Sequence, residues 1–245
     1  MKNIVILTAK GGQLSIPNKN LIPVLGVPIM LYPLRCAKMA MNVDKIYVTT
    51  EDARIKDLSL KEGVSVIDRP AELATPTSQH KDVIKHAVDE VLKEHPEAQN
   101  FIILLGNTVH MTPELIDKSF AMLDEPDCDS VATVWKAQDD HPYRAMVKTE
   151  DGYMESFTGK VVSSNRQSYP DVFFFDQGIW AFQKECVEKM EGPSPWFWLG
   201  KKCRMLERMW VTGRDIHSWI DIQASTWYLN DLQGNDTVVS VSEEG

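Results

Sequence analysis

Two lysines, Lys10 and Lys19, bracket the adjacent glycines Gly11 and Gly12 in NIVILTAKGGQLSIPNKN, residues 3–20, directly after an apolar run. Adjacent glycines admit positive φ and leave backbone N–H groups unobstructed, which suits a turn that cradles phosphate oxygens. A tight strand-to-loop turn with solvated lysines accounts for the same residues equally well. The stretch is neither G-x-G-x-x-G nor a loop ending in G-K-[ST], so a dinucleotide or Walker ATPase site is not expected. Near the other end of the sequence, Asp215 and His217 stand two apart. On extended chain such residues share a side and can address one ion, and imidazole favours manganese, iron or zinc over magnesium. A polar packing role for His217 competes with that reading. Asp127 and Asp129 also spell D-x-D, but they precede a strand-like run and read as loop and cap residues.

The elements that must position these groups alternate between strand and helix, the pattern of a largely parallel sheet covered on both faces. Strands are predicted over residues 4–7, 45–49, 64–67, 101–105 and 131–135, with 101–105, an unbroken apolar run, as a central strand. A helix is predicted over 27–41, opened by Pro28 and distorted or delayed by Pro33. Others follow over 52–62, closed by Gly63, over 78–92, and from Thr112 and Pro113 to Leu123. From about 138 to 180 the helical period disappears, which predicts a hairpin or lid extension. The expected arrangement is one domain over 1–230 and a polar, fraying tail over 231–245.

Composition limits the partners. A net charge of −9 and a pI near 5.2 argue against a nucleic-acid or anionic-membrane surface, so any phosphate site must be local. The alternation of aromatic and basic residues in WFWLGKKCRMLERMW therefore reads as cover for the core or the site, or as a subunit contact. No apolar run approaches a spanning helix, and the first residues lack the pattern of a signal peptide, which predicts a cytoplasmic protein. Four scattered cysteines without a C-x-x-C pair suggest reduced thiols.

AKGGQLSIPNKN resembles the A-R-G-G-S-K-x-I-P-x-K-N signature of the cytidylyltransferases that activate sugar acids, the family of the CMP-N-acylneuraminate and CMP-octulosonate synthetases. RPAELATPTSQHKDVIKHAV is similar to that family's R-P-x-x-L-A-x-D-T-S stretch, and HPYRAMVK, SNRQSYPDV and GRDIHSWID resemble three later segments in the same order. The resemblance implies a three-layer α/β/α fold, a Rossmann-like and mostly parallel mixed sheet of the nucleotide-diphospho-sugar transferase type, with a dimerisation extension. It implies transfer of CMP from CTP to an acidic sugar, release of pyrophosphate, a divalent magnesium or manganese ion, and a homodimer.

By the same resemblance, Lys19 and Asp215 are the catalytic candidates, and Ala9, Lys10, Gly11, Gly12, Lys19, Asn20, Arg69 and His80 bind nucleotide. Asn107, His141, Tyr143, Arg166 and Gln167 face the acceptor, while Asp215, His217 and Asn107 hold the metal. Arginine suits an acceptor carboxylate or phosphonate because its planar fork binds two oxygens at once. Several positions depart from the family pattern. Lys10 replaces an arginine, Leu14 a lysine, Asn107 a metal-ligating aspartate of the octulosonate branch, Asp176 and Gln177 an N-G pair, and His217 the second carboxylate of D-x-D, while the glutamine that contacts sugar in the other branch is gone. These departures keep three alternatives in view: a phosphonate or other non-sugar acceptor, a glycosyltransferase-like enzyme, and a nucleotide-binding protein that has lost catalysis.

Overall fold

A computed structural model describes residues 1–12, 16–160 and 162–234. Leu14 and residues 235–245 of the expected tail lie outside the described residues. The strands are β1 (Asn3–Thr8), β2 (Pro23–Val24), β3 (Val27–Pro28), β4 (Lys45–Thr50), β5 (Ser65–Asp68), β6 (Asn100–Leu105), β7 (Ser130–Lys136), β8 (Met146–Lys148), β9 (Met154–Ser156), β10 (Phe173–Gln183) and β11 (Cys203–Arg208). The helices are α1 (Leu31–Met39), α2 (Ala53–Lys61), α3 (His80–Glu94), α4 (Pro113–Leu123), α5 (Lys184–Lys189) and α6 (Trp219–Gly234).

Seven strands form one sheet in the order β11-β7-β10-β6-β1-β4-β5. β1, β4, β5 and β6 are parallel neighbours and β11 runs parallel to β7, while β10 lies antiparallel between β6 and β7. Alternation along β1 explains the layers. Val5 and Leu7 face a core shared with Leu34 of α1, Ile55 of α2 and Phe120 of α4. Ile4 and Ile6 face the opposite core, with Ile84 and Val88 of α3, Val187 of α5 and Trp198. β6 is buried at all six residues, as its unbroken apolar run requires, and occupies the middle of the sheet. The three-layer, mostly parallel arrangement thus agrees with the alternation of predicted elements.

Several boundaries differ. Val27 and Pro28 belong to a short hairpin with β2, so α1 starts at Leu31 and Pro33 falls in its first turn, where its missing N–H costs nothing. Phe173–Gln183 is a core strand and not part of an extension, and Cys203–Arg208 is an edge strand. The extension proper is the hairpin of β8 and β9, which pairs with no strand of the main sheet. α6 also continues through the first residues of the expected tail. His86 of α3 is half-buried. Among the described residues, no helix is long and apolar enough to cross a membrane, and all four cysteines are free.

Candidate active site at the strand ends

Beyond the carboxyl ends of β1 and β6, a small apolar cluster of Ile16, Val24, Ile29, Val109, Ile216 and Ile222 joins three segments. The first follows β1, the second follows β6, and the third leads from β11 into α6. Ile216 is fully buried, and its backbone N–H donates to the Asn107 carbonyl at 3.0 Å. Burial of this one residue aims its two neighbours at a common side. Asp215 and His217 therefore meet, Nε2 to Oδ1 at 2.9 Å, although they lie in a loop and not in a strand. The hydrogen bond that His217 donates to Asp215 raises the His217 pKa, more than burial lowers it.

Asn107 donates through Nδ2 to Asp215 Oδ2 at 2.8 Å and to the Ile216 carbonyl at 3.1 Å. Lys19 is buried and its ammonium donates to the same carbonyl. Burial lowers the Lys19 pKa, with Asp215 and Asp221 opposing. Asn107 thus joins the Asp215 group and lies apart from the other residues expected at the acceptor.

The nucleotide candidates occupy the adjoining wall. Asn20 Nδ2 donates to the Lys10 carbonyl at 2.9 Å, and Lys10 Nζ to the Thr75 carbonyl at 2.8 Å. Arg69 is buried against the Thr49 carbonyl at 2.8 Å. Ala9 is buried beside this turn, where its N–H donates to the Thr49 carbonyl at 3.2 Å. The Gly11 N–H donates to Glu51 Oε1 at 2.7 Å, and a Cβ on Gly11 would overlap the Asp52 carboxylate. Gly12, by contrast, is exposed with open space where a Cβ would stand. The glycine at 11 is therefore required by the close approach of the residues that start α2. His80 opens α3 in a crowded recess with its outer edge exposed, and burial followed by Arg69 lowers its pKa.

His141, Arg166 and Gln167 line a separate cavity of about 420 Å³, and Tyr143 packs on His141 with ring centres 4.9 Å apart. His141 is nearly buried; its Nδ1 accepts from the Tyr143 N–H at 3.1 Å and its Nε2 faces the Pro170 carbonyl at 3.0 Å. Arg166 pairs with Asp139. Among the described residues, no hydrogen bond links this group to Lys19 or Asp215. Another cavity, about 530 Å³, is lined by Gln138, Asp139, Asp140, Met209, Trp210 and Val211, and includes none of the candidate residues.

Residues that the sequence reading passed over also shape the site. Asp221 Oδ2 accepts from the His217 and Ser218 N–H groups at 3.1 and 2.8 Å, fixing the loop to the start of α6. The S-x-x-D spacing of Ser218 and Asp221 is a capping-box signal that was available in the sequence. Glu51 carries no such signal, because its role depends on β4 lying beside β1.

The donor set suits a small divalent ion. Adjacent ligands of an octahedral ion stand about 3 Å apart when each is about 2.1 Å from the metal. Asp215 Oδ1 and His217 Nε2 stand 2.9 Å apart as a hydrogen-bonded pair, and the imidazole must give up its proton before both can ligate one ion. Among the described residues there is no group of three or more His, Cys, Asp or Glu able to hold a metal. Ions that share their coordination with substrate phosphates need only one or two protein ligands.

The model of the family described as cytidylyltransferase matches residues 4–189. The chain belongs to the cytidylyltransferase family. Within it, the chain is 24% identical over 187 residues to an N-acylneuraminate cytidylyltransferase of Streptococcus agalactiae serotype V, covering 76% of this chain and 44% of that protein. It therefore spans less than half the length of this relative. It is 25% identical over 225 residues to a 3-deoxy-manno-octulosonate cytidylyltransferase of Chlamydia trachomatis serovar L2, covering 88% of this chain and 84% of that one. Among solved structures, a CMP:2-keto-3-deoxy-manno-octonic acid synthetase complexed with CTP superposes with a TM-score of 0.72 at 15% identity. The match covers 94% of this chain and 99% of the other. That likeness establishes the shared fold.

Proposed function

We propose that this family member transfers the CMP group of CTP to a hydroxyl of an acidic sugar, releasing pyrophosphate, and that residues 1–230 act as one nucleotidyltransferase domain. The observation that supports this most directly is the buried Lys19 ammonium beside Asp215 at the strand ends, a cation and an anion fixed together where a metal-bound polyphosphate needs both. In this reading Lys19 neutralises phosphate charge, and Gly12 leaves open backbone in the turn after β1. Asn20 and Arg69 hold the nucleoside, with His80 beside them. The acceptor oxygen forms a bond to the α-phosphorus as the bond to the pyrophosphate oxygen breaks, and the hydroxyl proton passes to solvent. Asp215 and His217, with Asn107 alongside, would hold a magnesium or manganese ion, which when bound would stabilise charge on the leaving group.

Arg166 lies in the cavity that also holds Gln167 and His141, and its exchangeable pairing with exposed Asp139 suits capture of an acceptor carboxylate. The reading places the protein in the cytoplasm, where its four free cysteines stay reduced.

The test is pyrophosphate release from CTP, ATP and GTP with magnesium or manganese. The acceptors are N-acylneuraminate, pseudaminic acid, 3-deoxy-manno-octulosonate and a set of phosphonates. Release is expected with CTP and one of the sugar acids. Release only with phosphonates would replace the acceptor class. Binding of CTP without release from any acceptor would mark a chain that has lost catalysis.

The homodimer is assigned to the hairpin. Met146, Val147, Tyr153, Met154 and Phe157 are all exposed on or beside two short strands that the main sheet does not support. A two-stranded hairpin is marginal alone, and a patch of this kind is a recurrent protein-binding surface. Met154→Asp is expected to halve the mass seen by light scattering. An unchanged mass for a dimeric parent would move the interface elsewhere.

A further inference from the structure

A second charged pair lies buried behind Asp215 with no part in the chemistry described so far. Asp176 of β10 and Arg208, the last residue of β11, meet with Oδ2 to Nη1 at 3.2 Å, and both side chains are almost wholly enclosed. The other Asp176 oxygen accepts from the Thr133 hydroxyl and from the Gly178 N–H, the latter at 2.7 Å. Burial raises the Asp176 pKa and lowers that of Arg208, each partner opposing the shift of the other. A pair in such surroundings adds little to stability compared with apolar residues of the same size, although removing one partner is costly.

The surroundings of the pair are built for it. Between Phe175 and Trp180 the pairing of β10 with β7 is broken by a bulge. There Gln177 takes a φ of 58° and Gly178 lies where a Cβ would overlap the Arg208 guanidinium. The guanidinium reaches past the glycine and donates from Nη2 to two backbone carbonyls, those of His110 and Thr212. These carbonyls belong to the two loops that carry Asn107 and Asp215. The same loops touch again at the Ile216 N–H to Asn107 carbonyl bond and at Asn107 Nδ2 to Asp215.

We propose that Arg208, anchored by Asp176 at the β10 bulge, is a positioning residue that fixes the Asn107 loop against the Asp215 loop and so sets where Asp215 stands relative to the bound nucleotide. The kinetic part rests on the cytidylyltransferase reading, while the structural part does not. Displacement of a reacting group by about 1 Å can cost on the order of a hundredfold in rate, so a clamp remote from the chemistry is enough to govern it.

The test compares the parent with Arg208→Met and with the double variant Asp176→Leu/Arg208→Met, which removes the stranded carboxylate as well as the guanidinium. The single variant is expected to lose thermal stability. The double variant is expected to recover most of that loss and still show at least about tenfold lower kcat, with KM for CTP within about twofold of the parent. Amide hydrogen exchange in residues 107–111 and 212–218 is expected to rise at least about tenfold in the double variant relative to β1. A double variant with restored stability, parental kcat and parental exchange in both loops would overturn the proposal and leave the pair a structural element. A parent that turns over no CTP refutes the functional reading instead, and the exchange comparison then decides the clamp alone.

Discussion

Asp215→Ala is expected to reduce CTP-dependent pyrophosphate release about a thousandfold with every divalent ion, the scale seen when a preorganised electrostatic group is removed from a site. Asp215 supplies the carboxylate of the candidate donor set, and both of its oxygens are directed by neighbours, one towards His217 and one towards Asn107. Imidazole and amide carry no compensating negative charge, so neither His217 nor Asn107 replaces it. Thermal stabilisation by CTP should survive in the variant, because Asn20, Arg69 and the residue 10–12 turn are untouched. His217→Asp restores paired carboxylates and should shift the preferred ion from manganese towards magnesium. The measurement is rate against metal identity for the parent and both variants. Substantial turnover by Asp215→Ala would displace the site, and an unchanged metal profile in His217→Asp would reduce His217 to packing.

Lys19→Met should separate function from stability. Its ammonium is held in a buried position that depresses its pKa, with Asp215 and Asp221 only partly compensating. An apolar side chain of similar length avoids that desolvation. The Ile216 carbonyl that Lys19 addresses still accepts from Asn107, so no buried acceptor is stranded. The expected result is an unchanged or higher melting temperature together with a hundredfold or greater loss of kcat/KM, roughly the effect of one removed charge-stabilising donor. A fall in both quantities would make Lys19 a structural pin. A rise in stability with full activity would remove it from the phosphate site.

The parts of the fold that local pattern dictates were legible in the sequence. Thr112 and Pro113 marked the start of α4, Asp52 and Gly63 bounded α2, and the apolar run at 101–105 announced the middle strand. β10 was not legible, because the bulge that houses Asp176 breaks the period-two alternation by which a strand is recognised. β11 was hidden differently. As an edge strand with exposed Arg204, Met205 and Glu207, it lacks a strong apolar face. Within the candidate site, D-I-H drew attention for its family-like spacing, but its geometry comes from Ile216 entering an apolar cluster and not from strand pleat. Glu51, Asp176 and Arg208 were illegible for a shared reason. Each acts on a residue distant in sequence, and only sheet order brings the partners together.

The antiparallel placement of β10 also bears on how the molecule is made. A chain emerging from its N-terminus completes β1, β4, β5 and β6 well before Phe173–Gln183 appears, and β7, which precedes β10, has no neighbour until then. For that interval β6, buried at every residue in the finished protein, has one open edge. Exposed edges of this kind favour pairing with other chains. Insertion of β10 closes the gap, and β11 can then dock on β7 and bring Asp215 to Lys19. The candidate groups Lys19 and Asp215 thus come from segments far apart in the chain and meet only across the completed sheet.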